Sequence, residues 1–320
     1  MERSVGILAN RASDRLAIRC AGLTRRFGTL AAVNKLDLEV RHGEVFALVG
    51  PDGAGKTTLI RLLCGVLTPD AGEAVVAGFD VVADPERVKT RIGYMPQRFS
   101  LYGDLTVMEN LQLYAGLHEV PPKEFPHKAE QLLADFRLSP FQSRLAQHLS
   151  GGMKQKLALV CTLIHEPEVL LLDEPTTGVD PVSRQQFWRI LYDLNRRGIT
   201  IFVSTPYMDE AERAAHVGLM NQGRIIATGS PASLRALMEG EILEVVAEPQ
   251  GAAKNVLRGH PSVRSLEVFG DRLHVLVPAA EAQGGLESAL AAAGVTLKSI
   301  RQIPPSLEDV FVARLGVAAA

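Results

Sequence analysis

The densest chemistry in this 320-residue chain lies at Gly50-Pro51-Asp52-Gly53-Ala54-Gly55-Lys56-Thr57, followed by Thr58. The run fits G-x-x-x-x-G-K-[ST], the pattern of a loop that cradles phosphates. Glycines let such a backbone turn tightly, so that its N–H groups converge on phosphate oxygens. A helix opening at the loop adds partial positive charge at its N-terminus. Lys56 supplies a full charge to β- and γ-phosphates, and the Thr57 hydroxyl suits Mg²⁺. A second chemical group ends the apolar run Val169-Leu170-Leu171-Leu172, where Asp173 and Glu174 follow. Two carboxylates at the end of a buried strand are costly without a partner. Mg²⁺ would be that partner for Asp173, leaving Glu174 to polarise an attacking water.

These groups need strands that end where they stand. Val45-Phe46-Ala47-Leu48-Val49 is a continuous apolar run, as expected of a strand covered on both faces in a parallel sheet. The run 169–172 and the segment Ile199-Thr200-Ile201-Phe202-Val203 read the same way, with an amphipathic helix at about 182–197 between them. Leu16 to Arg19 and Leu36 to Val40 read as earlier strands, the second with strict alternation. Strands alternating with helices imply an α/β architecture with a parallel sheet. Residues 98–165 read as a helical lobe, broken by Pro121-Pro122 and Pro140. Residues 1–15 look like a mobile arm, and the first domain then spans 16–238. A boundary is expected at 238–242, and 241–320 reads strand, helix, strand, strand, helix, strand, a small ferredoxin-like α+β unit.

Composition narrows the classes further. About 47% of residues are hydrophobic and 22% charged, which excludes a wholly disordered or collagen-like chain. Lys plus Arg is 34 against 36 acids, so a globally basic nucleic-acid binder is disfavoured. The three cysteines, Cys20, Cys64 and Cys161, are widely spaced and suit a reducing compartment. No apolar run approaches the ~18 residues that a membrane-spanning helix needs. The eight histidines show no metal-ligand spacing, and basic residues from Arg11 to Arg26 read as a solvated face.

Leu149-Ser150-Gly151-Gly152-Met153-Lys154-Gln155 resembles the signature sequence of ABC-type ATPases, and it falls between the phosphate loop and the Asp173-Glu174 strand as in that family. Other family marks appear in order: Phe27 where an aromatic stacks on adenine, Gln97 at the Mg²⁺-sensing glutamine, and Asp180 in the loop that crosses the dimer interface. The segments from Thr205 to Glu212 and from Pro305 to Phe311 are similar to ABC-2-type exporter ATPases of the daunorubicin-resistance type, and among those to YbhF-like subunits. The resemblance covers about residues 16–235. It implies a P-loop NTPase fold and ATP and Mg²⁺ as cofactors. Two nucleotide domains would close head-to-tail around two ATPs. Each nucleotide would touch residues 50–58 of one domain and Ser150-Gly151-Gly152 of the other. Helical-lobe residues near 98–118 would meet a separate ABC-2-type permease that holds the protein at the inner face of the membrane. The transported substrate, a drug or otherwise, is chosen by the permease and is not legible in this chain.

Two positions depart from the family pattern. Pro206 stands where the family has a histidine that contacts the γ-phosphate, and proline has neither a side-chain donor nor an N–H. Thr205 and Tyr207 flank it as candidate replacements. Either the enzyme still turns over, or the site is slow and the chain is a regulatory module paired with an active ATPase domain. Asp52 stands where Asn or Ser is usual, and in a closed dimer it would approach the partner's crossing loop at Asp180. Two carboxylates meeting there would repel or share a proton. A solvated Asp52 without effect is the other reading.

Overall fold

The computed structural model describes residues 16–98 and 101–318. The arm expected over 1–15 lies outside the described residues, as do residues 99–100 of the helical lobe. The chain forms two compact units that meet at Thr228 and Gly229. This is about ten residues before the boundary expected at 238–242. The helix Pro231–Arg235 packs within the second unit, so the division precedes it.

The first unit opens with long antiparallel strands β1 (Leu16–Phe27) and β2 (Leu30–Arg41). Next come β3 (Val45–Val49) and helix α1 (Lys56–Leu63), then β4 (Ala71–Val76), β5 (Phe79–Asp80), α2 (Pro85–Arg91) and β6 (Ile92–Met95). The helical lobe follows as α3 (Val107–Leu117), α4 (Phe125–Asp135) and α5 (Gly151–Leu163). The breaks fall at the expected prolines, Pro121-Pro122 before α4 and Pro140 in a short 3-10 turn. The unit closes with β7 (Val169–Asp173), α6 (Pro181–Arg196), β8 (Thr200–Thr205), α7 (Met208–Ala211), β9 (His216–Asn221) and β10 (Arg224–Gly229).

Two sheets result, one ordered β2-β1-β4-β5 and one β10-β9-β3-β8-β7-β6. In the larger sheet, β9, β3, β8, β7 and β6 run parallel. Every residue of β3 and β7 is buried, which explains their unbroken apolar runs. Phe46 of β3 stacks on Phe202 of β8, ring centres 5.4 Å apart, inside a core that also takes in Leu59, Leu63 and Leu171. Parallel strands deliver their C-terminal ends to one edge of the sheet. Val49, Met95, Asp173 and Thr205 are therefore neighbours there.

The second unit contains α8 (Pro231–Arg235), β11 (Glu241–Glu248), α9 (Gln250–Arg258), β12 (Ser265–Phe269), β13 (Arg272–Val277), α10 (Gln283–Ala292), β14 (Thr296–Ile303) and α11 (Leu307–Ala318). Its sheet order β12-β13-β11-β14 is the ferredoxin-like arrangement expected from the element order. Alternate residues Leu243, Val245 and Ala247 of β11 pack with Leu257 and Leu286 of the helices.

Candidate nucleotide site

The loop after β3 is held by backbone requirements that only glycine meets cheaply. Gly53 and Gly55 have φ of 79° and 108°. A Cβ on Gly50 would stand 2.1 Å from the Met220 carbonyl oxygen, and one on Gly55 2.1 Å from that of Ala32. The loop is thus wrapped against β2 and β9 rather than free. It delivers Lys56 to the start of α1 with its side chain only 4% exposed. The Lys56 ammonium donates to the carbonyls of Gly50 at 2.9 Å and Pro51 at 3.1 Å. It lies 3.3 Å from Glu174 Oε1.

Asp173 is fully buried at the end of β7. Its Oδ1 accepts from Ser204 Oγ at 2.7 Å and Thr57 Oγ1 at 3.2 Å, while Oδ2 is buried with no hydrogen-bond partner. Burial pushes the Asp173 carboxyl above its ordinary pKa, the hydroxyls of Ser204 and Thr57 pull it back, and the Glu174 charge adds to the rise. An acceptor oxygen left unpaired beside a threonine hydroxyl is what a hard divalent cation uses.

Glu174 follows in a left-handed backbone conformation, φ 48°. Its N–H donates to both Ser204 Oγ at 3.0 Å and the Ser204 carbonyl at 3.1 Å. Its Oε2 accepts from Gln97 Nε2 at 2.9 Å, so Gln97, just beyond β6, reaches across to the carboxylate. One open groove takes in Phe27, residues 52–58, Gln97 and Glu174, and adds Leu30 and Ala32 to the set expected from sequence. Phe27 is 47% exposed, with the Arg25 guanidinium 5.1 Å from its ring centre. Asp52 is exposed on the groove's rim.

Ser150, Gly151, Gly152 and Asp180 do not line this groove. They stand at two helix starts. Ser150 caps α5 by accepting from the Met153 N–H at 3.3 Å, and Asp180 caps α6 by accepting from Ser183 N–H at 2.9 Å. That cap, chiefly through Ser183, holds the Asp180 carboxyl below its ordinary range. The two helix starts touch, because a Cβ on Gly152 would meet Ser183 Oγ at 2.7 Å.

Of Thr205 and Tyr207, the candidate stand-ins at Pro206, Thr205 has its hydroxyl committed elsewhere. The buried Thr205 hydroxyl donates to Glu210 Oε2 at 2.8 Å and accepts from the Tyr207 N–H at 3.0 Å. The Tyr207 ring is covered by the Arg184 guanidinium at 4.3 Å. Sequence reasoning also passed over Ser204, Thr176 and Glu210. The one available signal was a polar Ser-Thr pair ending the apolar run of β8.

A profile described as "ABC transporter" matches residues 33–177, and one described as "ATP-binding protein DrrA1-3-like, C-terminal domain" matches 229–314. The chain is 42% identical over 301 residues to "Probable multidrug ABC transporter ATP-binding protein YbhF" of Escherichia coli (strain K12), covering 93% of this chain and 52% of that protein. It thus spans about half the length of that relative. It is 36% identical to "Daunorubicin resistance ATP-binding protein DrrA3" of Streptomyces coeruleorubidus, covering 94% and 96% of the two chains. Among solved structures, an ATP-binding subunit of an ABC transporter superposes with a TM-score of 0.62 at 29% identity, covering 69% of this chain and 92% of that one.

Proposed function

This chain belongs to the ABC transporter ATP-binding family, with a C-terminal domain of the daunorubicin-resistance type, and we propose that it hydrolyses ATP to power export through a separate ABC-2-type permease. The observation that carries the reading is the convergence of Lys56, Thr57, Asp173, Glu174 and Gln97 at one sheet edge, where all but the buried Asp173 line one groove with the exposed ring of Phe27.

The chemistry follows from those contacts. Phe27 offers a stacking face to the base. The loop N–H groups, the start of α1 and Lys56 bind the phosphate chain. Glu174, oriented by Gln97 and by its own N–H bonds to Ser204, orients the attacking water and takes up its proton. Thr57, Asp173 and Gln97 fit a Mg²⁺ ion, the unpaired Asp173 Oδ2 being the deciding atom. Among the described residues no group of three or more His, Cys, Asp or Glu side chains is placed to hold a metal, so nucleotide and water would supply the remaining ligands. When bound, the ion neutralises charge on the β- and γ-phosphates.

In this proposal, two nucleotide domains close head-to-tail, and the helix start at Ser150-Gly151-Gly152 of one meets the nucleotide on the other. Asp180 crosses the interface. Among the described residues no helix is long and apolar enough to cross a membrane. In this proposal a separate permease supplies the pathway and tethers the protein to the cytoplasmic face. Leu101 and Gly103, from the stretch expected to receive the permease, line a groove of the helical lobe together with Gln147 and Lys154.

A second reading has a specific observation behind it. Proline offers no donor at position 206, and the neighbouring Thr205 hydroxyl is committed to Glu210. A hydrogen bond to a charged group is worth ~1.5–3 kcal/mol, and losing it only in the transition state slows the reaction about 10- to 100-fold. The chain would then be a slow, regulatory partner of a second ATPase domain.

Calorimetric titration with Mg-ATP tests the site, with Lys56→Ala as the blank. Glu174→Gln should in addition become dimeric in ATP but not in ADP. Absence of ATP binding by the wild type would remove the proposal.

A further inference from the structure

Glu210 lies at the end of α7 with a fully buried carboxylate, and the chemistry described above does not use it. Its Oε1 accepts from Thr176 Oγ1 at 2.6 Å, and its Oε2 from Thr205 Oγ1 at 2.8 Å. The Arg184 guanidinium of α6 is 3.2 Å from Oε1 and stacks on Tyr207. One carboxylate thus ties together three segments around the catalytic edge: the turn after β7, the end of β8 and the first turn of α6.

The first two of these segments hold Glu174. Thr176 lies two residues beyond it, and Thr205 directly follows Ser204, whose hydroxyl and carbonyl take the Glu174 N–H. Glu174 itself has φ 48°, a conformation that costs a side-chain-bearing residue energy and persists only where its surroundings over-determine it. The bonds from Ser204 fix one side of that strained residue. The Thr176–Glu210 bond fixes the other, and Thr205 joins the two sides through the same carboxylate.

We propose that Glu210 is a positioning residue for hydrolysis: by gripping Thr176 and Thr205 it holds Glu174 in its strained, water-facing conformation. The proposal rests on the functional reading above and adds a residue to it. It also suits a site without the histidine at Pro206, because aiming the carboxylate then depends on the scaffold alone. Glu210 touches neither nucleotide nor water in this scheme and acts through the two threonines.

The test compares steady-state ATP hydrolysis and Mg-ATP affinity of the full chain with those of Glu210→Gln, Thr176→Val and Thr176→Ser. A catalytic group displaced by about 1 Å can lose up to ~100-fold in rate. Glu210→Gln and Thr176→Val should therefore lower kcat about 10- to 100-fold while the ATP dissociation constant stays within about twofold. Thr176→Ser, which keeps the hydroxyl, should recover most of the turnover that Thr176→Val loses. A kcat within twofold of wild type in Glu210→Gln and Thr176→Val overturns the proposal. So does a joint loss of turnover and ATP binding, which would mark the network as structural support only. Absence of turnover in the wild type is a separate result, and it removes the hydrolytic reading together with this refinement.

Discussion

Alanine at Gly152 is expected to cost stability for a reason internal to one chain. Its Cβ would stand 2.7 Å from Ser183 Oγ and 2.9 Å from Ser183 Cβ. Rotating Ser183 about χ1 moves the oxygen but leaves the Cβ contact, so backbone must shift. Overpacking of this kind costs about 1–3 kcal/mol. Replacing glycine in a helix returns up to about 1 kcal/mol, less at the second helical position. With a return of about 0.5 kcal/mol the net loss is about 0.5–2.5 kcal/mol, a fall in Tm of about 1–10 °C for a unit of this size. Gly151 is the internal control, because a Cβ there meets nothing within 4 Å. Gly151→Ala should keep or raise Tm and lose ATPase activity only where the partner's nucleotide approaches it. Calorimetry of Gly152→Ala, Ser183→Gly and the double variant closes a cycle. The expected result is that Gly152→Ala costs little once residue 183 is glycine. A Gly152→Ala cost that is absent, or independent of residue 183, would refute the steric reasoning.

Other expectations follow from single contacts. Arg25, held by Asp70 Oδ1 at 3.1 Å, backs the Phe27 ring. An exposed cation–π contact is worth ~0.5–1 kcal/mol, so Arg25→Ala should weaken ATP about 2- to 5-fold. Inorganic tripolyphosphate, which has no base, should bind as before. His165 stacks on His118 at 3.7 Å, and burial, then the neighbouring imidazole, push it down to about 4. Its neutral form is favoured in the folded state, so this contribution is complete above pH ~6.5 and is lost as pH falls toward 4. His165→Gln should flatten the acid side of the stability profile between those limits, as read by urea unfolding. Asp52→Asn should increase ATP-dependent dimerisation measured by light scattering, and an unchanged dimer fraction would remove the proposed repulsion with Asp180.

The legible parts of this protein are those encoded by local pattern. The apolar runs of β3, β7 and β8 read directly as buried parallel strands, and the chemical residues sit at or just beyond their ends. The C-terminal sheet order also follows from the element order strand, helix, strand, strand, helix, strand. What pattern did not reveal depends on distant contacts. Glu210 reads as one of several acids in Asp209-Glu210-Ala211-Glu212, yet it alone is fully buried, fixed by Thr176 34 residues away. The glycine requirement at Gly50 comes from a carbonyl on β9, and that at Gly152 from α6. The domain boundary was misplaced because Met238-Glu239-Gly240 looks like a linker, whereas α8 already packs with α11.

Steady-state hydrolysis of Mg-ATP by the full chain, measured beside Glu174→Gln, tests the central claim most directly. The site described here predicts clear turnover in the wild type and none in the variant, with ATP bound by both. Equal, background-level rates in the two proteins, with ATP still bound, would contradict a self-sufficient ATPase and leave the regulatory reading.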